Sequence, residues 1–156
     1  GKKNNYKKVK NFKVNIKLPI FISENYIPDL SLRLSIYRRL GEYDTEQELM
    51  NFRKEMLNRF GKIPYEFDNL VNVIKLKILS TKANICKINI KDEKYLIFFD
   101  KDHTEYSSEF IDWVMKKNDN IKIKGQYAIE IKHCVNDPKN QLLNIIEIIN
   151  NMLMLE

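Results

Sequence analysis

The prevailing hydrophobic period of this chain shifts near residue 84. Before that point apolar residues recur three and four apart. After it, short runs rich in Ile, Tyr and Phe alternate with polar residues. A period of 3.6 describes a helix that buries one stripe, and a period of two describes a strand that buries one face. A chain whose helices come first and whose strands mostly follow does not build the repeated strand–helix units of a doubly wound parallel sheet. The expected class is α+β: a helical half of three helices, then small antiparallel β hairpins with two further helices.

The boundaries follow from local chemistry. Phe12-Lys13-Val14-Asn15-Ile16-Lys17-Leu18 alternates strictly and reads as a strand with one buried face, closed by Pro19. Pro28-Asp29 opens a helix, with Asp29 placed to accept from a first-turn amide. Its apolar stripe is Leu30, Leu34 and Tyr37 with Ile36 and Leu40, and Gly41 takes the position just past the end. Asp44-Thr45-Glu46-Gln47 reads as a capping box with Asp44 as the cap. The helix behind it sets Leu49, Phe52, Met56 and Phe60 on one face and stops at Gly61. A third helix starts at Pro64; its broad stripe, from Phe67 to Leu79, suits a helix packed on two sides. It ends at Ala83-Asn84, where Asn accepts the left-handed backbone.

Beyond it, Ile85–Ile90 and Tyr95–Phe99 form a hairpin over the loop Lys91-Asp92-Glu93-Lys94. Ser107-Ser108-Glu109 begins a helix bearing Phe110, Val114 and either Trp113 or Ile111. Ile121–Lys124 and Tyr127–Lys132 form a second hairpin with a two-residue turn at Gly125-Gln126. Asp137-Pro138 caps and starts the last helix, which carries Leu142, Ile145, Ile146, Ile149, Met152 and Leu153.

The length of 156 residues is that of one domain. Residues 1–11 read as a flexible basic tail and 12–156 as a single folded domain. The first residue, Gly1, is not Met, so a fragment of something larger or a processed tag is expected. There are 27 Lys and Arg against 21 Asp and Glu, a net charge of +6. Two explanations stand: a polyanionic partner, or the Lys, Asn and Ile usage of an AT-rich genome. The basic candidates for nucleic acid are Lys7 and Lys8 in the tail, where Tyr6 and Phe12 are interleaved, and Lys75 and Lys77 on the third helix. A solvated linker is the plainer reading of the tail. Cys86 and Cys134 form no CxxC pair, suit a reducing compartment and are expected to act as small core residues. No signal peptide is recognised, and no apolar run reaches the roughly 18 residues of a membrane span.

Motifs for catalysis are missing. The four glycines do not cluster, so neither GxxxxGK[ST] nor GxGxxG is present to cradle a phosphate. His103 and His133 lack metal-protease spacing, and His133-Cys134 supplies two ligands where zinc needs at least three. Asp100, Asp102 and Glu105 lack the pattern of a calcium loop. No catalytic residue, metal or cofactor is assigned, although a triad built in space leaves no signature in sequence.

Three segments carry a resemblance. Tyr26-Ile27-Pro28-Asp29 leads into Arg33-Leu34-Ser35-Ile36-Tyr37-Arg38-Arg39-Leu40. Glu55-Met56-Leu57-Asn58-Arg59-Phe60-Gly61-Lys62-Ile63-Pro64 follows, and then Lys75-Leu76-Lys77. Together they resemble the C-terminal domain of the bacterial transcription-repair coupling factors, clearly over residues 12 to about 90. Two positions depart from that family: Asn58 where Asp is usual, and Asn84 where Gly is usual.

The resemblance implies a regulatory domain of an ATP-driven DNA translocase that displaces stalled RNA polymerase and recruits excision repair in the bacterial cytoplasm. ATP and magnesium would belong to motor domains absent from this chain. The domain would dock, as a monomer, on an N-terminal UvrB-like module and mask its UvrA-binding surface. Glu55, Asn58 and Arg59 are the candidates for that interface, with Arg33 and Arg38 secondary. Glu55 and Arg59 also have the spacing of a local surface pair. Reversing Glu55 to Lys is expected to weaken association without unfolding the domain. Tyr37 and Trp113 are expected to pack. The competing readings are a nucleic-acid-binding accessory domain and an unrecognised small enzyme.

Overall fold

The computed structural model describes residues 11–100, 102, 106–117 and 120–155. The chain divides into two compact units: residues 17–78, and residues up to 16 together with those from 79 onward. The tail lysines and His103 and Glu105 lie outside the described residues.

The helical unit holds α1 (Leu30–Glu42), α2 (Glu46–Phe60) and most of α3 (Tyr65–Lys82). Its core gathers Ile36 and Leu40 of α1, Phe52 and Met56 of α2, and Phe67 and Val71 of α3, beneath a loop that contributes Ile22 and Ile27. Each such side chain, fully buried, contributes about 1.5–3 kcal/mol. Phe52 and Phe67 meet edge to face at 5.9 Å. Buried Asn69 donates from Nδ2 to the Pro19 carbonyl at 3.0 Å, which ties the chain leaving the first strand to α3.

Three sequence expectations in this unit need correction. The buried stripe of α1 is Ile36 and Leu40 alone; Leu30 and Leu34 point to solvent, 59% and 45% exposed, and Tyr37 lies at the rim. Ile36 and Leu40 are the α1 side chains that enter the core shared with α2 and α3. Gly41 sits inside α1, which continues to Glu42 and is capped at Tyr43 with ordinary negative φ. The box opening α2 lies one residue later than read. Thr45 is the cap and accepts from the Glu48 amide at 3.2 Å. The Glu48 carboxylate in turn accepts from the Asp44 amide. Thr and Glu three apart satisfy two free amides reciprocally.

The second unit contains β1 (Lys13–Asn15), β2 (Ile85–Ile90), β3 (Lys94–Phe99), α4 (Ser108–Lys116), β4 (Ile121–Lys124), β5 (Ala128–Lys132) and α5 (Pro138–Leu153). The strands form one sheet in the order β1-β2-β3-β5-β4. The two hairpins are therefore edge-joined through β3 and β5, and every pairing is antiparallel except β1 with β2, which is parallel. The fold is α+β as expected, but its sheet is mixed. The chain runs from β1 to β2 through three helices, a crossover long enough for a parallel pair.

Both hairpin loops differ by one residue from expectation. Lys94 joins β3, leaving Lys91–Glu93 as the first loop. In the second, Lys124 pairs with Ala128, so Gly125, Gln126 and Tyr127 form a three-residue loop, with Gly125 at φ +69°. Ser107 caps α4 and Asp137 caps α5, each accepting from an amide three residues on. Trp113, not Ile111, completes the packed side of α4, lying 5.8 Å from the Phe110 ring.

Asn84 takes φ +59° after α3, as its position predicted. Gly61 ends α2 at φ +81°, ψ −156°, a region that only glycine enters freely. A Cβ there would meet no atom within 4 Å, so the cost of adding one is backbone strain alone. Gly61→Ala is expected to lower the unfolding free energy by about 1–3 kcal/mol, measured by urea denaturation.

Candidate functional site

The side of α2 away from its buried residues carries the candidates named from sequence. Glu55 and Arg59 stand one turn apart, and the Arg59 guanidinium donates to Glu55 Oε2 at 3.1 Å. The stronger partner of Glu55 is one the sequence did not indicate. Arg39 of α1 reaches across with both terminal nitrogens, Nη1 to Oε2 at 2.7 Å and Nη2 to Oε1 at 2.5 Å. Parallel bonds of this kind are the strong form of an ion pair. Arg39 is itself fixed: its Nε donates to the Tyr43 hydroxyl at 2.8 Å, and its guanidinium lies 5.2 Å from the Phe52 ring centroid. Arg59 lies over Phe60 in the same way, at 4.9 Å.

Electrostatics follow this geometry. The bonds from Arg39, and then from Arg59, hold the Glu55 carboxyl down at about 2. Arg39 is pushed above its ordinary value, chiefly by its bond to Glu55. The side chain of Glu55 is 32% exposed and that of Arg39 39%, so solvent weakens the pair without dissolving it. Glu55 is thus part of the α1–α2 contact as well as of the surface. A lysine in its place would face two guanidinium groups, so Glu55→Lys would perturb the α1–α2 contact as well as the surface.

Asn58 is exposed, and its side chain has no partner among the described residues. Arg33 is not a surface residue: its side chain is 11% exposed, and Nη1 donates to the carbonyls of Ile27 and Pro28 at 2.8 and 3.0 Å. It clamps the loop before α1, so this secondary interface candidate has a structural duty within the helical unit. Arg38 points to solvent. Tyr37 is a packing residue at the rim, its hydroxyl accepting from the Ile22 amide at 2.7 Å.

The two helix lysines proposed for nucleic acid have internal partners. Lys75 lies 3.7 Å from Glu46, and Lys77 donates to the Gly41 carbonyl near the end of α1 at 3.0 Å. Lys7 and Lys8 fall outside the described residues.

The residues screened for metal or catalysis have structural surroundings where they are described. His133 stacks on Tyr95 at 4.0 Å; its Nδ1 accepts from the Val135 amide and its Nε2 bonds the Lys91 carbonyl. The amide can only donate, so the ring carries its hydrogen on Nε2. Cys86 is half-buried, its thiol donating to the Phe98 carbonyl, and burial pushes its pKa up. Cys134 is exposed and not a core residue, because it follows the last strand in the open connection to α5. Among the described residues no three His, Cys, Asp or Glu side chains converge as metal ligands. No helix among them is long and apolar enough to cross a membrane.

A three-helix unit and a mixed five-stranded sheet, with an organised ridge of charge on α2, define an α+β domain. The same fold occurs in the crystal structure of the C-terminal domain of a transcription-repair coupling factor, with a TM-score of 0.74 over 94% of both chains at 18% identity. The TRCF domain family matches residues 16–110, and the chain belongs to that family. Similar curated proteins include the transcription-repair-coupling factor of Rickettsia conorii, 32% identical over 143 residues, which is 92% of this chain and 12% of that protein. That of Borreliella burgdorferi is 32% identical over 110 residues, 70% of this chain and 10% of the protein. That of Escherichia coli is 25% identical over 130 residues, 83% of this chain and 11% of the protein. The chain therefore spans about a tenth of the length of these relatives.

A carboxyl held at about 2 in the fold against 4.5 unfolded stabilises the fold above pH 4.5, and that stability is lost as pH falls from there through about 2. Comparing urea unfolding of the wild type with Glu55→Gln should show an advantage of about 1 kcal/mol at neutral pH, after discounting for solvent. The advantage should shrink toward zero near pH 2. A difference independent of pH contradicts the assignment.

Proposed function

We infer that this chain is a regulatory docking domain of a transcription-repair-coupling factor and performs no reaction itself. In this reading it binds the N-terminal UvrB-like module of the same protein and covers the surface that UvrA would use. The parent is then a cytoplasmic ATP-driven DNA translocase acting on stalled RNA polymerase, with ATP and magnesium handled by motor domains outside this chain. The domain alone is a monomer on this account.

The observation that carries the reading is the α2 ridge. Arg39 and Arg59 hold Glu55 in one orientation, and Asn58 stands exposed beside it. A reversible interface works best with polar groups that are ordered before contact and solvated after release, because little ordering cost is then paid on docking. Family membership supports it, since the ridge lies on the segment Glu55–Pro64 that resembles the family's second signature. The nucleic-acid reading through Lys75 and Lys77 is disfavoured, because both ammonium groups serve contacts within the helical unit.

The clean probe is Asn58, which has no structural duty. Asn58→Trp should weaken binding to the purified UvrB-like module at least ten-fold by isothermal titration calorimetry. Its unfolding free energy should change by no more than about 0.5 kcal/mol, as for other surface substitutions. Unchanged affinity would place the interface elsewhere.

A further inference from the structure

The two faces of the five-stranded sheet differ in kind. One is apolar and covered: Tyr95, Ile97, Phe99, Ile129 and Ile131 are buried on it, and α5 lies over Tyr95, whose hydroxyl accepts from Asn144 at 2.8 Å. The other is basic. The register sets Lys13 of β1, Lys87 of β2, Lys94 of β3, Lys132 of β5, and Lys122 and Lys124 of β4 on it. All six are exposed or half-buried. Glu130 is the one carboxylate in the five strands. It pairs with Lys94 at 3.2 Å, and Lys94 first, with Lys124 and Lys122, holds it below the usual carboxylate range. The whole chain carries a net charge of +6, so much of its excess lies on this face.

The placement works against stability. Lys13 stands directly opposite Lys87, and Lys94 directly opposite Lys132. Like charges opposed across strands are destabilising, the single Glu130 offsets only part of this at Lys94, and a local rule broken in this way is expected at functional surfaces. Lysines on edge strands have a plain purpose, to block edge-to-edge pairing, and this accounts for Lys13, Lys122 and Lys124. It does not account for Lys87, Lys94 and Lys132, which lie on the three interior strands. Codon bias raises the number of lysines but does not sort them onto one face.

Phe98 lies among them on the central strand β3. Its half-buried ring is on the open face, with Lys87 Nζ 5.2 Å from the centroid. An aromatic ring on an open sheet, flanked by cations, matches a chain that offers both a base face and phosphates. A duplex hides its base faces from a stacking ring. An acidic peptide has no base to stack.

We propose that this open sheet face binds single-stranded nucleic acid, the lysines contacting backbone phosphates and Phe98 stacking on a base. The site is independent of the α2 ridge and of the docking reading. DNA and RNA share the chemistry, and the test separates them.

The intact chain is titrated by fluorescence anisotropy against labelled oligothymidylate, oligouridylate, a duplex of equal length and polyglutamate, between 50 and 200 mM salt. Either or both single strands should bind more tightly than duplex or polyglutamate. A triple variant, Lys87→Gln with Lys94→Gln and Lys132→Gln, should lose at least ten-fold. Its salt slope should fall by about 2, at roughly 0.7 per phosphate contact. Relief of the opposed charges offsets the lost Lys94–Glu130 pair, so its melting temperature should stay within about 4 °C of wild type; if it misfolds, Lys122→Gln with Lys124→Gln serves instead. Phe98→Ala should lose at least five-fold with the salt slope unchanged. An equal charge loss in the tail, Lys2→Gln with Lys3→Gln and Lys7→Gln, should cost less than three-fold. The proposal is overturned by no binding to single strands, by equal losses from tail and face variants, by a silent Phe98→Ala, or by duplex or polyglutamate binding as tightly.

Discussion

One carboxylate held between two guanidinium groups organises the helical unit's polar surface. Glu55 fixes Arg39, Arg39 fixes the Tyr43 hydroxyl at the end of α1, and the same guanidinium lies over Phe52, a residue buried in the core. Apolar packing of Ile36 and Leu40 brings α1 against its neighbours but does not by itself define its register. A two-pronged bond from α1 to α2 does, because it tolerates little displacement along either helix. The exposed ridge of α2 is therefore an extension of a structural contact, and its charged side chains are held by their neighbours.

The same arrangement explains why some of the site could be read in sequence and some could not. Glu55 and Arg59 are four residues apart in a helix, so their pairing follows from helical geometry. Arg39 and Glu55 are sixteen residues apart on different helices, and no local rule joins them. The α1 stripe failed for a related reason. Leu30, Leu34 and Tyr37 have helical spacing as good as that of Ile36 and Leu40, and only the position of α2 decides which set is buried. The cap of α2 was misplaced by one because Asp44 and Thr45 are both capable caps; Glu48 three residues beyond Thr45 was the deciding signal.

In the sheet unit the strands were legible from alternation, and the caps of α4 and α5 from Ser107 and Asp137-Pro138. The pairing of β3 with β5, which joins two hairpins into one sheet, was not, nor was the parallel addition of β1. Those pairings are between segments distant in sequence. They also decide that six lysines scattered from residue 13 to residue 132 share one face, a property that appears only once the register is known.

Membership of the TRCF domain family, the fold shared with a solved C-terminal domain, and the charged α2 ridge support our inference that the chain acts by contact, through groups its own fold has pre-arranged. The most direct measurement is a double-mutant cycle on unfolding free energy with Arg39→Ala, Glu55→Ala and the double variant. Pre-arrangement requires a favourable coupling of about 1 kcal/mol or more at neutral pH, within the range found for residues in direct contact. Additive effects, with coupling near zero, would mean that Glu55 is a loose surface charge and that the ridge is not built before docking.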